Sequence, residues 1–316
     1  MNILVFGKDG QLGKAFQKLF GSVHLLGVNI QYVGRDQCDL SNSAALSLFL
    51  SQSQVDLIIN TAAYTAVDKA ETEVLMAFAI NTKAPELMAR YAVEHDATFV
   101  HYSTDYVFDG SKKSLYIEGD LRNPLGIYGK SKAAGEEAIE KVFANSVSGQ
   151  YAILRTSWVY GDGNNFIRTI LRLAKEREEL KVIDDQYGAP TSTEWLAQVS
   201  LNLALDQQHN LRKFTSGIYH AVPTGETTWH GLAGFVAQAA IDAGVILKAS
   251  PEAIKAISTA EYPLPAPRPM NSRMDTAKLQ LALEHIGDMS KLQHCKQVWG
   301  DEVKAYVAQL AKDGLI

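Results

Sequence analysis

Tyr128 and Lys132 stand four residues apart in "IYGKSKAAGEEA", a spacing that puts both on one face of a helix. A lysine ammonium beside a tyrosine hydroxyl favours the phenolate and draws the tyrosine pKa down from about 10. Such a tyrosine can give a proton to a carbonyl oxygen while hydride arrives at the carbon. In a chain with 13 tyrosines the pair alone says little, so its neighbours decide its meaning. "HYSTDYVFDG" supplies Ser103 and Thr104 at the end of a candidate strand, where α/β sheets bind ligands and a hydroxyl can hold a substrate oxygen.

Upstream lies a corner suited to phosphate. "MNILVFGKDGQLGKAF" runs from an apolar strand through Gly7, Gly10 and Gly13 into a helix. The spacing G-x-x-G-x-x-G has one residue more than the general dinucleotide fingerprint. A helix start offers free N–H groups and the positive end of its dipole, and glycines let the backbone approach a diphosphate. After the second candidate strand, "VGRDQCDL" places Arg35 where the 2′-phosphate of NADP would sit. It is either that clamp or a solvated surface arginine. The reading leans to NADPH, with NADH the alternative.

These residues need elements to position them, and the first half of the chain supplies a regular alternation. "NILVF", "IQYV", "VDLIIN", "ATFVHYST" and "YAILRTS" read as strands. Between them fall helical patterns, including "DLSNSAALSLFLSQ", capped by Ser41 or Asn42, and a long stretch from about Val74 to Glu94. Strands alternating with helices predict a doubly wound parallel sheet of the Rossmann type, its strands apolar because both faces are covered. Beyond residue 160 the rhythm loosens. Helices are expected at 165–177, 193–206, 228–243 and 298–312, a strand at "GIYHAV", and an extended segment at "EYPLPAPRPMNSR". Residues 1–160 then form the cofactor domain and 161–316 a smaller substrate lobe, with some later segments crossing back.

Composition narrows the partners. A net charge of −5 over 316 residues, with no basic patch, argues against nucleic acid. No apolar run reaches the roughly 18 residues of a membrane helix, and no secretory signal is visible. Cys38 and Cys295 are too far apart in sequence for a metal or redox motif and fit free thiols in a reducing cytoplasm.

The order of glycine loop, strand-end hydroxyl and Tyr-Lys helix resembles the extended short-chain dehydrogenase/reductase superfamily. Within it the chain is similar to the dTDP-4-dehydrorhamnose reductases, through "MNILVFGKDGQLG", "NTAAYTAVDKAE", "HYSTDYVFDG", "YGKSKAAGE", "LRTSWVYG", "NNF", "DQYGAPT" and "RPMNSRMD". The resemblance implies reduction of dTDP-6-deoxy-L-lyxo-4-hexulose to dTDP-L-rhamnose. It puts Gly7, Gly10, Gln11, Leu12 and Gly13 on the cofactor diphosphate, Asp39 and Leu40 by the adenine, and Ala63, Tyr64 and Thr65 by the ribose and nicotinamide. Tyr128 is then the general acid, Lys132 lowers its pKa and bonds the nicotinamide ribose, and Thr104 orients the C4 oxygen. Asp105 and Trp158 contact the sugar nucleotide. Arg268, with Arg273 second, suits the substrate diphosphate, and Asn164 and Asn165 its base or sugar.

Some members of that family hold a divalent ion at a subunit contact through glutamates, one of them on the first helix. Here "GKAFQKLF" has no carboxylate and only Glu194 survives, which argues against Mg2+ and leaves monomer and homodimer both open. Two alternatives share the scaffold: another nucleotide-sugar reductase, epimerase or dehydratase, and a non-catalytic NADP-binding subunit of the methionine adenosyltransferase type.

Overall fold

The computed structural model describes residues 1–22, 27–284 and 289–316. Numbering only the strands of the central sheet, these are β1 (Asn2–Phe6), β2 (Asn29–Val33), β3 (Leu57–Asn60), β4 (Thr98–Thr104), β5 (Gln150–Thr156) and β6 (Gly217–His220). All pair in parallel, in the order β2-β1-β3-β4-β5-β6. Alternate residues of β1 feed two cores. Ile3 and Val5 pack with Phe16 and Leu196 on one face, Leu4 and Phe6 with Met88 and Ile139 on the other. That double burial is why "ILVF" needs no polar alternation. The edge strand β2 does alternate, with Asn29, Gln31 and their exposed face toward solvent.

The chain steps from β1 out to β2 and then returns to the other side of β1 as β3. At this reversal the connections leave on opposite faces and a crevice opens beyond the strand ends. The helices Gln11–Ser22, Ser43–Ser51, Ala84–Glu94 and Ile127–Phe143 make the crossovers. Asn42 caps the second of these, accepting from the Ala45 N–H.

The stretch expected as one helix from Val74 to Glu94 is broken. A widened π turn, Ala79–Lys83, separates Val74–Phe78 from Ala84–Glu94. Pro85 cannot donate to the carbonyl four residues back, so the regular ladder cannot run through this point. The bulge has a use: it holds the buried Asn81 side chain against Tyr64 N–H, Tyr64 C=O and the Ser131 hydroxyl.

A smaller lobe has its own core. Helices Phe166–Glu176, Trp229–Asp242 and Trp299–Lys312 enclose Leu171, Leu232, Val236, Val303 and Val307 beside the parallel pair Leu180–Ile183 and Ile254–Ile257. Helix Thr193–Ala204 instead packs on Gln11–Ser22, and β6 completes the large sheet. The proline-rich segment is largely irregular. Its end is tied to Tyr187, whose N–H donates to Met270 O and whose C=O accepts from Ser272 N–H.

Candidate functional site

The ends of β1, β3, β4 and β5 open into a cleft of about 630 Å³ at the topological switch. One wall is the glycine loop. Gly7 adopts a left-handed φ of +86°, and a Cβ there would stand 2.7 Å from Thr61 Oγ1 and 2.8 Å from Ala62 N. Gly10, Gln11 and Leu12 line the cleft at the start of the helix, whose first N–H groups lack carbonyls one turn earlier. Gly13 does not line it. A Cβ at Gly13 would lie 2.1 Å from Gly7 O, so this glycine lets the helix close on the loop.

Arg35, Asp39 and Leu40 line the far end of the cleft, and Ala63 and Thr65 its middle. Hydrogen bonds from Ser41, and then Arg35, hold the Asp39 carboxyl below its ordinary range. The Arg35 guanidinium makes no hydrogen bond among the described residues. Tyr64 turns aside and its hydroxyl donates to Glu73 at 2.6 Å.

The Tyr128 helix is pinned by residues of several segments. Glu71 caps its start, accepting from Ile127 N–H at 2.8 Å. A Cβ on Gly129 would meet Tyr106 O at 2.2 Å and one on Gly135 would meet Asn81 O at 2.1 Å. Both glycines of "YGKSKAAGE" thus serve close backbone packing. One turn beyond Lys132, the buried Glu136 receives two bonds from the buried Arg155 of β5, at 2.9 and 2.7 Å, and one from Arg122 at 2.6 Å.

The expected action of Lys132 on Tyr128 is not what this structure shows. Desolvation pushes the Tyr128 phenol up to about 12; the Thr104 hydroxyl pulls the other way and Asp105 adds to the rise. The Lys132 ammonium points into the sheet, donating to Tyr102 O at 2.6 Å and lying 3.1 Å from His101 Nε2. Its burial draws it down to about 8 against the pull of Glu136. Position on one helix face placed both groups at the site, but the backbone carbonyl of β4 captured the ammonium.

Thr104 donates to Asp105 Oδ1 at 2.8 Å and accepts from Tyr106 N–H at 3.2 Å. Asp105 is buried, and Ser272 donates to its other oxygen. Burial raises this carboxyl to about 6, with Ser272 and Thr104 opposing. Trp158 forms the opposite wall in a left-handed backbone, φ +49°, and stacks on Trp229 with ring centroids 3.7 Å apart. Gly188 of "DQYGAPT" leaves it room, since a Cβ there would approach the indole to 2.8 Å.

Three expected substrate contacts stand outside this cleft. Asn165 caps Phe166–Glu176, accepting from Arg168 N–H, while its amide donates to Gly161 O, Gly163 O and Tyr306 Oη. Asn164 is exposed beside it. Arg268 is held by Asp68 at 2.9 Å and Ala266 O at 2.7 Å.

Three buried polar atoms on residues that line the cleft, Gln11 Oε1, Ser103 Oγ and Thr156 Oγ1, have no hydrogen-bond partner. With the Gly7 cradle they fit a dinucleotide. Glu194 faces the Lys18 ammonium at 2.5 Å, and among the described residues no group of three or more His, Cys, Asp or Glu could hold an ion.

The family model of the RmlD substrate binding domain matches residues 1–300. The dTDP-4-dehydrorhamnose reductase of Escherichia coli K12 is 43% identical over 286 residues, covering 89% of this chain and 91% of that protein. The chain belongs to the RmlD family of dTDP-4-dehydrorhamnose reductases. Solved members share the fold closely. The Clostridium acetobutylicum reductase superposes with a TM-score of 0.82 at 34% identity, over 98% of this chain and 99% of that one. The Bacillus anthracis reductase, solved in complex with NADP, gives 0.80 at 30% identity, over 98% and 99%.

Several supports of this RmlD site were not singled out from sequence: Asp68 and Glu71 of "TAVDKAE", Asn60, His101, Glu136, Arg155 and Ser272. The two carboxylates of "TAVDKAE" had a signal in the narrowness of that phrase. Asn60 ends the apolar run of β3 and His101 follows Phe99 and Val100 in β4, a chemical signal of placed polar groups in buried strands.

Proposed function

We propose that the chain reduces the 4-keto group of dTDP-6-deoxy-L-lyxo-4-hexulose, giving dTDP-L-rhamnose, with NADPH as the preferred reductant. The observation that carries this reading is the Tyr128 phenol at the cleft beside Thr104, with the glycine cradle on the same cleft. NADPH, when bound, supplies the hydride for C4.

The chain's own part is to hold the ketone and protonate its oxygen. Tyr128, raised to about 12, is fully protonated at neutral pH and therefore loaded as an acid. Thr104 donates to Asp105 Oδ1 and accepts from Tyr106 N–H, which fixes its hydroxyl beside the Tyr128 phenol. Ser272, reaching Asp105 from the late segment, locks that arrangement. Trp158 offers an apolar wall to the sugar, and its stack on Trp229 prevents its rotation. Arg268, 14% exposed, is a charge held in reserve near the mouth by Asp68 and reaches the diphosphate by leaving that pair. Gln11, Leu12 and the Gly7–Gly10 turn take the cofactor diphosphate, Lys132 the nicotinamide ribose, and Arg35 the 2′-phosphate.

An assay with enzymatically made dTDP-keto sugar and each cofactor tests the reading. The wild type consumes NADPH stoichiometrically with dTDP-L-rhamnose formed, and Tyr128→Phe lowers kcat by about 10²- to 10⁴-fold, the ordinary range for a general acid. A chain that interconverts the sugar without net NADPH consumption, or a Tyr128→Phe variant near wild type, overturns it.

A further inference from the structure

Lys132 has a neighbour that the proposed reaction does not use. His101 lies on β4, fully buried, with Lys132 Nζ 3.1 Å from its Nε2 and Asn60 Nδ2 3.1 Å from its Nδ1. Asn60 is equally buried, and its Oδ1 accepts from Ala62 N–H at 3.2 Å. Burial and the lysine beside it hold His101 well below its ordinary 6.5, so the imidazole is neutral and carries one N–H.

That single proton links three groups. An ammonium has only donors, so a charged Lys132 requires Nε2 as acceptor and the proton on Nδ1. Asn60 must then present its carbonyl to Nδ1 and release the Ala62 N–H. If the Asn60 amide nitrogen donates to Nδ1 instead, the proton sits on Nε2 and Lys132 must be the neutral amine. The other ionisable groups around the pair are Glu136 on the lysine's own helix, committed to Arg155 and Arg122, and Tyr128 toward the cleft. From β4 the lysine also meets the Tyr102 carbonyl, while the Tyr102 hydroxyl is engaged by Ser200 on the far face. The chain of bonds ends at Asn60 inside the protein, so it holds a proton and does not export one.

We propose that His101, oriented by Asn60, is a positioning residue that sets the direction and charge of Lys132 and thereby the alkaline limit of the reaction. This rests on the reductase reading above. The pair touches neither the ketone nor the cleft; it acts through the lysine.

The test is the pH profile of kcat for NADPH oxidation with the dTDP-keto sugar. Asn60→Asp offers two acceptor oxygens, one for Ala62 N–H and one for Nδ1–H, and so fixes Nε2 as acceptor. Its alkaline limb moves up by about one pH unit, a tenfold change in the charged fraction of Lys132. His101→Leu removes the acceptor and moves the limb down by a similar amount, and His101→Gln, which keeps a carbonyl oxygen, restores it toward wild type. In the His101→Leu background Asn60→Asp produces no rise, which separates the relay from plain attraction by a new charge. If His101→Leu does not fold, Asn60→Asp and His101→Gln carry the test, with NADPH affinity by fluorescence quenching as the check of an intact site.

Lys132→Met distinguishes the two levels. If it abolishes the alkaline limb while the Asn60 and His101 variants leave the limb in place, the positioning role is wrong and the reductase reading stands. If Lys132→Met keeps both limb and rate, the reading of the site itself fails. Equal loss of kcat in Asn60→Asp, His101→Leu and His101→Gln without movement of the limb shows a structural role only and overturns the proposal.

Discussion

The two walls of the cleft are built by different means. The cofactor wall is backbone against backbone. Gly7 meets Thr61 and Ala62, and Gly13 meets Gly7, at distances that admit no side chain. The opposite side rests on side-chain pairs between remote segments: Asp105 with Ser272 and Trp158 with Trp229 on the cleft, and Arg268 with Asp68 outside it. The first wall has no slack, since moving one element moves the next. The second depends on contacts between side chains, each of which can be removed by one substitution without moving the backbone.

This contrast can be broken at three points. Gly13→Val inserts carbon where 2.1 Å separates a Cβ from Gly7 O, forcing the first helix off the loop. NADPH affinity falls by about a hundredfold or more, and the thermal midpoint drops with it, as overpacking against backbone predicts. Titration calorimetry and a melt read both; a variant binding NADPH normally would show that the cofactor wall has slack after all. Asp68→Ala frees Arg268 and removes the acceptor for Ala266 N–H. The KM for the dTDP-keto sugar changes by about tenfold, the size of one charge-assisted bond, while the KM for NADPH stays put. Equal movement of both constants would join the two walls into one unit. Arg35→Ala has the smallest effect, because the residue is exposed and screened by salt. NADPH affinity falls by about fivefold and NADH affinity is unchanged; equal rates with both cofactors in the wild type would remove Arg35 from the 2′-phosphate.

The same division governs how much could be read in advance. The strands, the glycine loop, the hydroxyl at the end of β4 and the Tyr-Lys helix were legible, because periodicity and spacing within one segment fix which face each residue occupies. The π turn before Pro85 was hidden because a widened turn keeps almost the same apolar pattern as a regular helix. Asn165 looked like a substrate donor and is spent as a cap; only the neighbouring Gly161, Gly163 and Tyr306 reveal that its bonds are filled. Narrow phrases such as "TAVDKAE" and "RPMNSRMD" could be noticed in the sequence, but their partners could not.

By itself the sequence determined that a parallel sheet would end in a glycine-lined crevice with a tyrosine and a lysine beside it. Those outcomes follow from local geometry. The tertiary structure alone decided that Lys132 faces His101 and the Tyr102 carbonyl, that Asp105 is shielded by Ser272, and that Arg268 pairs with Asp68. Each of these joins segments separated by 30 to 200 residues in the chain. Desolvation and hydrogen bonding at such contacts depend on what surrounds a group in space, and no spacing along the chain encodes that.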